Sequence, residues 1–178
     1  DMYLTDRIRA IALATGSTAL FASDMTQETM IFPAGMTIYG GSLYIAQSGL
    51  GTVHRWTIAT PTNHDVFAGT VRFGSRDGTD PLFGRPHDLT MTLDGTVLYL
   101  GDNNHIRKID RAAKTVSTVI GSVVDNYREG IPEAAGTENL DEARFSAIAG
   151  IAVNAANTTL YVADRWNNRI RKVDLTSS

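Results

Sequence analysis

Leu160-Tyr161-Val162-Ala163-Asp164-Arg165-Trp166-Asn167-Asn168-Arg169-Ile170-Arg171-Lys172-Val173-Asp174 is the stretch that decides the fold. Its first five residues run apolar, Tyr, apolar, small, polar, a composition suited to a buried strand. Residues 165–168 are turn-like, because Asn tolerates left-handed backbone and bonds to nearby main chain. Residues 169–174 place apolar side chains at the second and fifth positions with charges between them. Two strands joined by so short a turn form an antiparallel hairpin.

The same text recurs upstream. Met2-Tyr3-Leu4-Thr5-Asp6, Leu43-Tyr44-Ile45-Ala46-Gln47 and Leu98-Tyr99-Leu100-Gly101-Asp102 match the first strand, and their tyrosines lie 41, 55 and 62 residues apart along the chain. Arg7–Ile11, Thr52–Trp56 and His105–Asp110 match the second. An apolar segment precedes the Tyr strand at Pro33–Ile38, Pro86–Met91 and Ile148–Val153, and turn residues follow each (Gly40-Gly41, Asp94-Gly95, 154–157). A last segment closes three copies, at Ala19–Ala22, Val66–Gly69 and Val116–Gly121. Each copy is therefore a four-stranded antiparallel meander. A meander of roughly 40–50 residues cannot bury both its faces alone, so copies stack around an axis as propeller blades. The expected fold class is all-β, a propeller with about three and a half blades. The blades are expected at 1–24, 31–70, 85–122 and 145–178, with inter-blade loops at 71–84 and 123–144.

The stretch from Ala163 to Asp174 resembles the signature of the NHL repeat: an Asp, a short turn rich in Asn, then Arg-Ile-Arg-Lys and an apolar residue. Asp102 to Asp110 follows the pattern with a shorter turn, and Arg144-Phe145 matches the family's lead-in to the innermost strand. The second copy departs, with Gln47 in place of Asp and Trp56 ending the strand. The resemblance implies a ring that usually has six blades, about twenty-four strands. The segments above make fourteen strands. The expectation is thus a part of a longer propeller, or a ring completed by other copies, since bare blade faces invite aggregation. Asp1 is not an initiator residue, which agrees with a processed or truncated start.

Composition narrows the function classes. Hydrophobic residues make up 43% and charged residues 20%, enough for a packed core. The net charge is −3, from 16 basic and 19 acidic side chains. A protein that binds nucleic acid through phosphates carries a basic excess, so the balance points away from that partner. No apolar run is long enough to insert in a membrane as a helix. There is no cysteine, which excludes disulfides, thiolate metal sites and a Cys nucleophile, and is compatible with a reducing compartment.

Repeated positions read as structure. Tyr3, Tyr44, Tyr99 and Tyr161 recur once per copy and are expected to pack between blades. Asp6, Asp102 and Asp164, with Asn168, are expected to brace the turn after the Tyr strand. The arginines of Arg7-Arg9, Arg107-Lys108 and Arg171-Lys172 are expected to be solvated on outward strand positions. His87, in Arg85-Pro86-His87-Asp88, starts an innermost strand near the axis. NHL-like amidating lyases place zinc-ligand histidines at similar positions, and catalytic zinc takes three protein ligands. Here the equivalent residues are Ala34 and Ala149, so His87 is a weak metal candidate, expected at a surface or channel mouth. No catalytic residue, metal ligand set or cofactor is assigned. The chain is expected to be a non-catalytic scaffold that binds a protein partner or assembles with itself. The alternatives are a metal-dependent lyase or hydrolase with an axial site, and an RNA-binding domain. The loops at 70–85 and 122–144 are the expected contact surfaces.

Overall fold

The computed structural model describes residues 7–23, 30–121 and 144–176. Among them every regular element is a strand, thirteen in all. The Met2–Asp6 segment and loop residues 122–143 lie outside the described residues, and with them Tyr3 and Asp6.

The strands form four antiparallel meanders in chain order. β1 (Arg7–Ile11) pairs with β2 (Thr18–Ser23). β3 (Pro33–Tyr39), β4 (Ser42–Gln47), β5 (Thr52–Thr57) and β6 (His64–Gly69) make the second sheet. β7 (Pro86–Met91), β8 (Val97–Asp102), β9 (His105–Asp110) and β10 (Val116–Gly121) make the third. β11 (Ile148–Val153), β12 (Thr159–Asp164) and β13 (Arg169–Asp174) make the fourth. These are propeller blades, and the repeated segments fall on the strands that the repeat dictates.

Alternation along each Tyr strand glues the blades together, since successive side chains point to opposite faces. In β4, Leu43 and Ile45 pack with Ile8 and Trp56 toward the first blade, while Tyr44 and Ala46 pack toward the third. In β8, Leu98 and Leu100 face the second blade and Tyr99 faces the fourth. Tyr44 and Tyr99 are buried as expected. Tyr161 is 48% exposed, because no described sheet covers its face of β12.

The innermost strands β3, β7 and β11 lie side by side with β7 in the middle. Asp88 on β7 ties them: its Oδ2 accepts a hydrogen bond from Ile151 N–H on β11 at 2.8 Å. On its other flank lies Gly35 of β3, where a methyl group would sit 2.5 Å from Asp88 Cα, so only glycine permits that approach. At the far end of these strands the hairpins are joined too. Tyr39 Oη donates to Asp94 O (2.8 Å), and Leu93 N donates to Asn157 Oδ1 (3.2 Å).

One irregularity matters for the site. The ladder between the innermost strand and the Tyr strand slips at the same place in three blades: between Pro33 and Met36, between Pro86 and Asp88, and between Ile148 and Gly150. A bulge inserts an unpaired residue and re-aims its side chain. In the third blade that residue is His87.

Candidate functional site

The second, third and fourth blades each fasten their own lead-in segment in the same way. A large apolar side chain is buried just before the innermost strand: Met30, Phe83 and Phe145. The next residue's N–H is caught by the last residue of the Tyr strand. Gly84 N donates to Asp102 Oδ1 at 2.8 Å, Ser146 N to Asp164 Oδ1 at 2.8 Å, and Ile31 N to Gln47 Oε1 at 3.1 Å. Arg85 N adds a second bond to Asp102 Oδ1 at 2.7 Å. The aspartates thus brace the lead-in segment, and Asp164 also braces the turn that follows it, accepting from Asn167 Nδ2 at 2.8 Å. The lead-in comes within reach because the meander returns the start of its first strand to the end of its second. The turn keeps its Asn chemistry, with Asn103 and Asn168 at φ 56° and 52°.

The structure overturns the expectation for Arg107 and Arg171, while Arg7 and Arg9 are exposed as expected. Arg107 is fully buried, with 0% exposure. Its guanidinium reaches Asp102 Oδ2 (3.3 Å), Asp77 Oδ1 (2.7 Å), Arg76 O (2.8 Å) and Leu82 O (3.4 Å), and stands over the Phe83 ring at 5.5 Å. The loop at 71–85 wraps the guanidinium and supplies these acceptors. Asp77 pins the same loop to the outer strand, accepting from Thr118 N at 2.9 Å, and Gly78 pairs with Val116. A surface arginine would be solvated; this one has traded water for carbonyls and carboxylates. Arg171 repeats the clasp: it donates to Arg144 O (2.8 Å) and Asp164 Oδ2 (3.5 Å) over the Phe145 ring at 4.8 Å. Lys108 and Lys172 stay exposed, as expected.

In the second blade the position of Arg107 is held by His54, opposite Ile45 as Arg107 is opposite Leu100. There the buried pair is neutral on both sides, Gln47 with His54. Burial, aided by neighbouring His64, pushes His54 down to about 4. His54 stacks on Trp56, with centroids 5.3 Å apart, and its Nδ1 is buried without a hydrogen bond. In the third blade burial pushes Asp102 up to about 6 against the pull of Arg85 N–H and Arg107. The two blades show one rule: a buried carboxylate comes with a buried guanidinium, and a buried amide with a neutral imidazole.

The clasps shape the surface above them. Between the second and third blades lies an open cleft of about 700 Å³ whose lining includes Arg7, Phe32, Phe73, Arg85 and His87. Phe32 is 68% exposed and Phe73 57%. Phe32 also has φ 51°, a conformation bulky residues avoid. The ladder to the next turn holds it there, with Ser48 N donating to Phe32 O and Gly49 N to Ile31 O, both at 3.1 Å. Ala147, one residue before β11 as Phe32 is one residue before β3, has the same φ of 51°, so the conformation belongs to the repeated strand entry. His87 is exposed at this mouth, as the sequence led one to expect. Its companions there are guanidiniums, which repel a metal cation and favour an anion. No group of three or more His, Cys, Asp or Glu side chains converges among the described residues. His54 and His64 stack 6.4 Å apart on the outer strands of the second blade, and His105 is buried in the third. No described helix is long and apolar enough to cross a membrane. Of the two loops expected to make contacts, 71–85 contributes Phe73 and Arg85 to the cleft, and 122–143 lies outside the described residues. Sequence reading had passed over Phe32 and Phe73, although two phenylalanines amid turn residues were a usable signal.

No family model matches the chain. The protein SUPPRESSOR OF QUENCHING 1, chloroplastic, of Arabidopsis thaliana is 31% identical over 165 residues, covering 84% of this chain. The chain spans 15% of that protein's length. A structural genomics protein of unknown function from Bacteroides thetaiotaomicron superposes with a TM-score of 0.75 at 22% identity, over 94% of this chain and 42% of that one. An auxiliary nutrient binding protein from Bacteroides ovatus gives a TM-score of 0.70 at 19% identity, over 96% and 43%. These likenesses establish the propeller fold. At such identity they carry no function with them.

Proposed function

We propose that the blades are of NHL type and that the chain is a non-catalytic scaffold which binds a protein partner at the cleft between its second and third blades. One observation carries this reading: two exposed phenylalanines, Phe32 and Phe73, line one cleft. Aromatic side chains set in a rigid surface are the usual anchors of protein recognition. The Asp–Arg clasp, found twice with Asp102–Arg107 and Asp164–Arg171, supports the NHL assignment.

The reading is tested by selecting peptides from an unbiased display library on the chain and comparing binding to wild type and to Phe73→Ala. The exposed ring contributes little to the core, so stability should change by less than about 1 kcal/mol. Loss of an interface anchor should weaken the selected peptides by about thirtyfold. Selected peptides that bind Phe73→Ala and wild type equally would remove the cleft from the account. Elemental analysis supplies the converse check. Stoichiometric zinc or calcium lost on His87→Ala would move the function to the metal-dependent lyase or hydrolase class.

A further inference from the structure

We infer that the partner segment seated in this cleft is acidic, with an apolar side chain between its carboxylates. The inference rests on the protein-binding reading above and adds the chemistry of what binds. The chain is acidic overall, with a net charge of −3, yet among the described residues the charged side chains lining the cleft are Arg7 and Arg85, with His87 beside them and no carboxylate. Charge of one sign gathered against the sign of the whole molecule is the pattern of electrostatic complementarity to a partner. The geometry sorts the two chemistries. His87 stands in the bulge of β7 and Arg85 two residues before it, with Pro86 between them buried and fixed in the ladder opposite Asp102. Both are held at one side of the mouth by a strand start that Asp102 clamps through Arg85 N–H. Phe73 reaches the cleft from the loop that Arg107 and Asp77 hold down, and Phe32 from the start of β3. A segment crossing the mouth meets the Arg85 guanidinium and the His87 ring on the β7 side, with the phenylalanine rings beside them. A guanidinium takes a carboxylate through paired N–H donors, and the rings take an apolar side chain.

An RNA strand fits less well. Its binding relies on many phosphate contacts, and the surrounding acidic molecule opposes a long polyanion. A short acidic segment needs only the local cations.

The test uses three short fluorescein-labelled peptides, alternating aspartate with phenylalanine, lysine with phenylalanine, and aspartate with serine, and a polyuridine oligonucleotide. Fluorescence anisotropy should show the aspartate–phenylalanine peptide binding more than about tenfold tighter than either other peptide, and Arg85→Ala should weaken it by about tenfold. Arg85→Lys, which keeps the charge but loses the paired donors, should recover only part of that loss. Near-equal affinity for the lysine–phenylalanine peptide, lost on Phe73→Ala but untouched by Arg85→Ala, would overturn the acidic assignment and leave the scaffold reading standing. Tight, Arg85-dependent binding of polyuridine would replace a protein partner with RNA. Absence of binding by any of the three peptides would overturn both readings.

Discussion

Replacing Arg107 by alanine should cost about 4 kcal/mol of folding stability, because it leaves the buried Asp102 without its counter-charge and takes a donor from the Arg76 and Leu82 carbonyls. Asp102 is 1% exposed and Arg107 not exposed at all, so neither finds water when the other is removed. The loop at 71–85 should open as well, since Arg76 O, Leu82 O and Asp77 all lean on that guanidinium. Urea unfolding monitored by circular dichroism measures the loss; a change below about 1 kcal/mol would mean that solvent already reaches the pair. The second blade suggests the rescue. The double variant Asp102→Gln with Arg107→His copies the neutral Gln47–His54 solution into the third blade. It should be more stable than Arg107→Ala, because no uncompensated buried charge remains.

Acid should act on the two buried pairs in opposite senses. His54 is held at about 4 in the folded chain, against 6.5 for an ordinary imidazole. Between those values the unfolded chain binds more protons, so stability falls as pH drops from about 6.5 to about 4, by about 3 kcal/mol in total. Protonation would also place a second donor at Nδ1, which has no acceptor beside it. Asp102 runs the other way. Its folded value is raised from 3.8 to about 6, so its contribution is present at low pH and lost as pH rises through about 6. The two oppose each other over one window, and a single wild-type profile hides both. The difference between variants separates them. His54→Gln should gain about 3 kcal/mol on wild type as pH goes from 7 to 4, while Asp102→Asn should lose ground over the same range. Parallel profiles for wild type and His54→Gln would show that His54 is protonated freely in the folded state.

The fold was legible because it is written several times. Each Tyr strand, Arg-Lys strand and closing strand repeats in order, and the sheets pair in that order. What the repeats hold in common was legible too, down to Tyr44 and Tyr99 between blades and the bracing aspartates. The partner of each brace was not, since Asp102 meets Gly84 and Arg85 only when the meander closes. Arg107 was misjudged for a related reason. Its register opposite Leu100 puts it on the face toward the second blade, and a loop from a different part of the chain, 71–85, folds over it and supplies the acceptors. A signal did exist: where Asp gives way to Gln47, the aligned Arg gives way to His54, and charges that vanish together are charges that touch. His87 was noticed for its chemistry, but its direction comes from a bulge that no residue type announces. Phe32 and Phe73 lie in segments without periodicity, so nothing in the pattern joins them.

Amide chemical-shift mapping of the isotope-labelled chain, titrated with the aspartate–phenylalanine peptide, tests the central claim most directly. The account predicts that shifts concentrate at Phe32, Ser48, Gly49, Phe73, Arg85 and His87, and that they vanish in Phe73→Ala. Shifts centred instead on the opposite hairpins, at Gly40-Gly41, Asp94-Gly95 and Asn157, would contradict it.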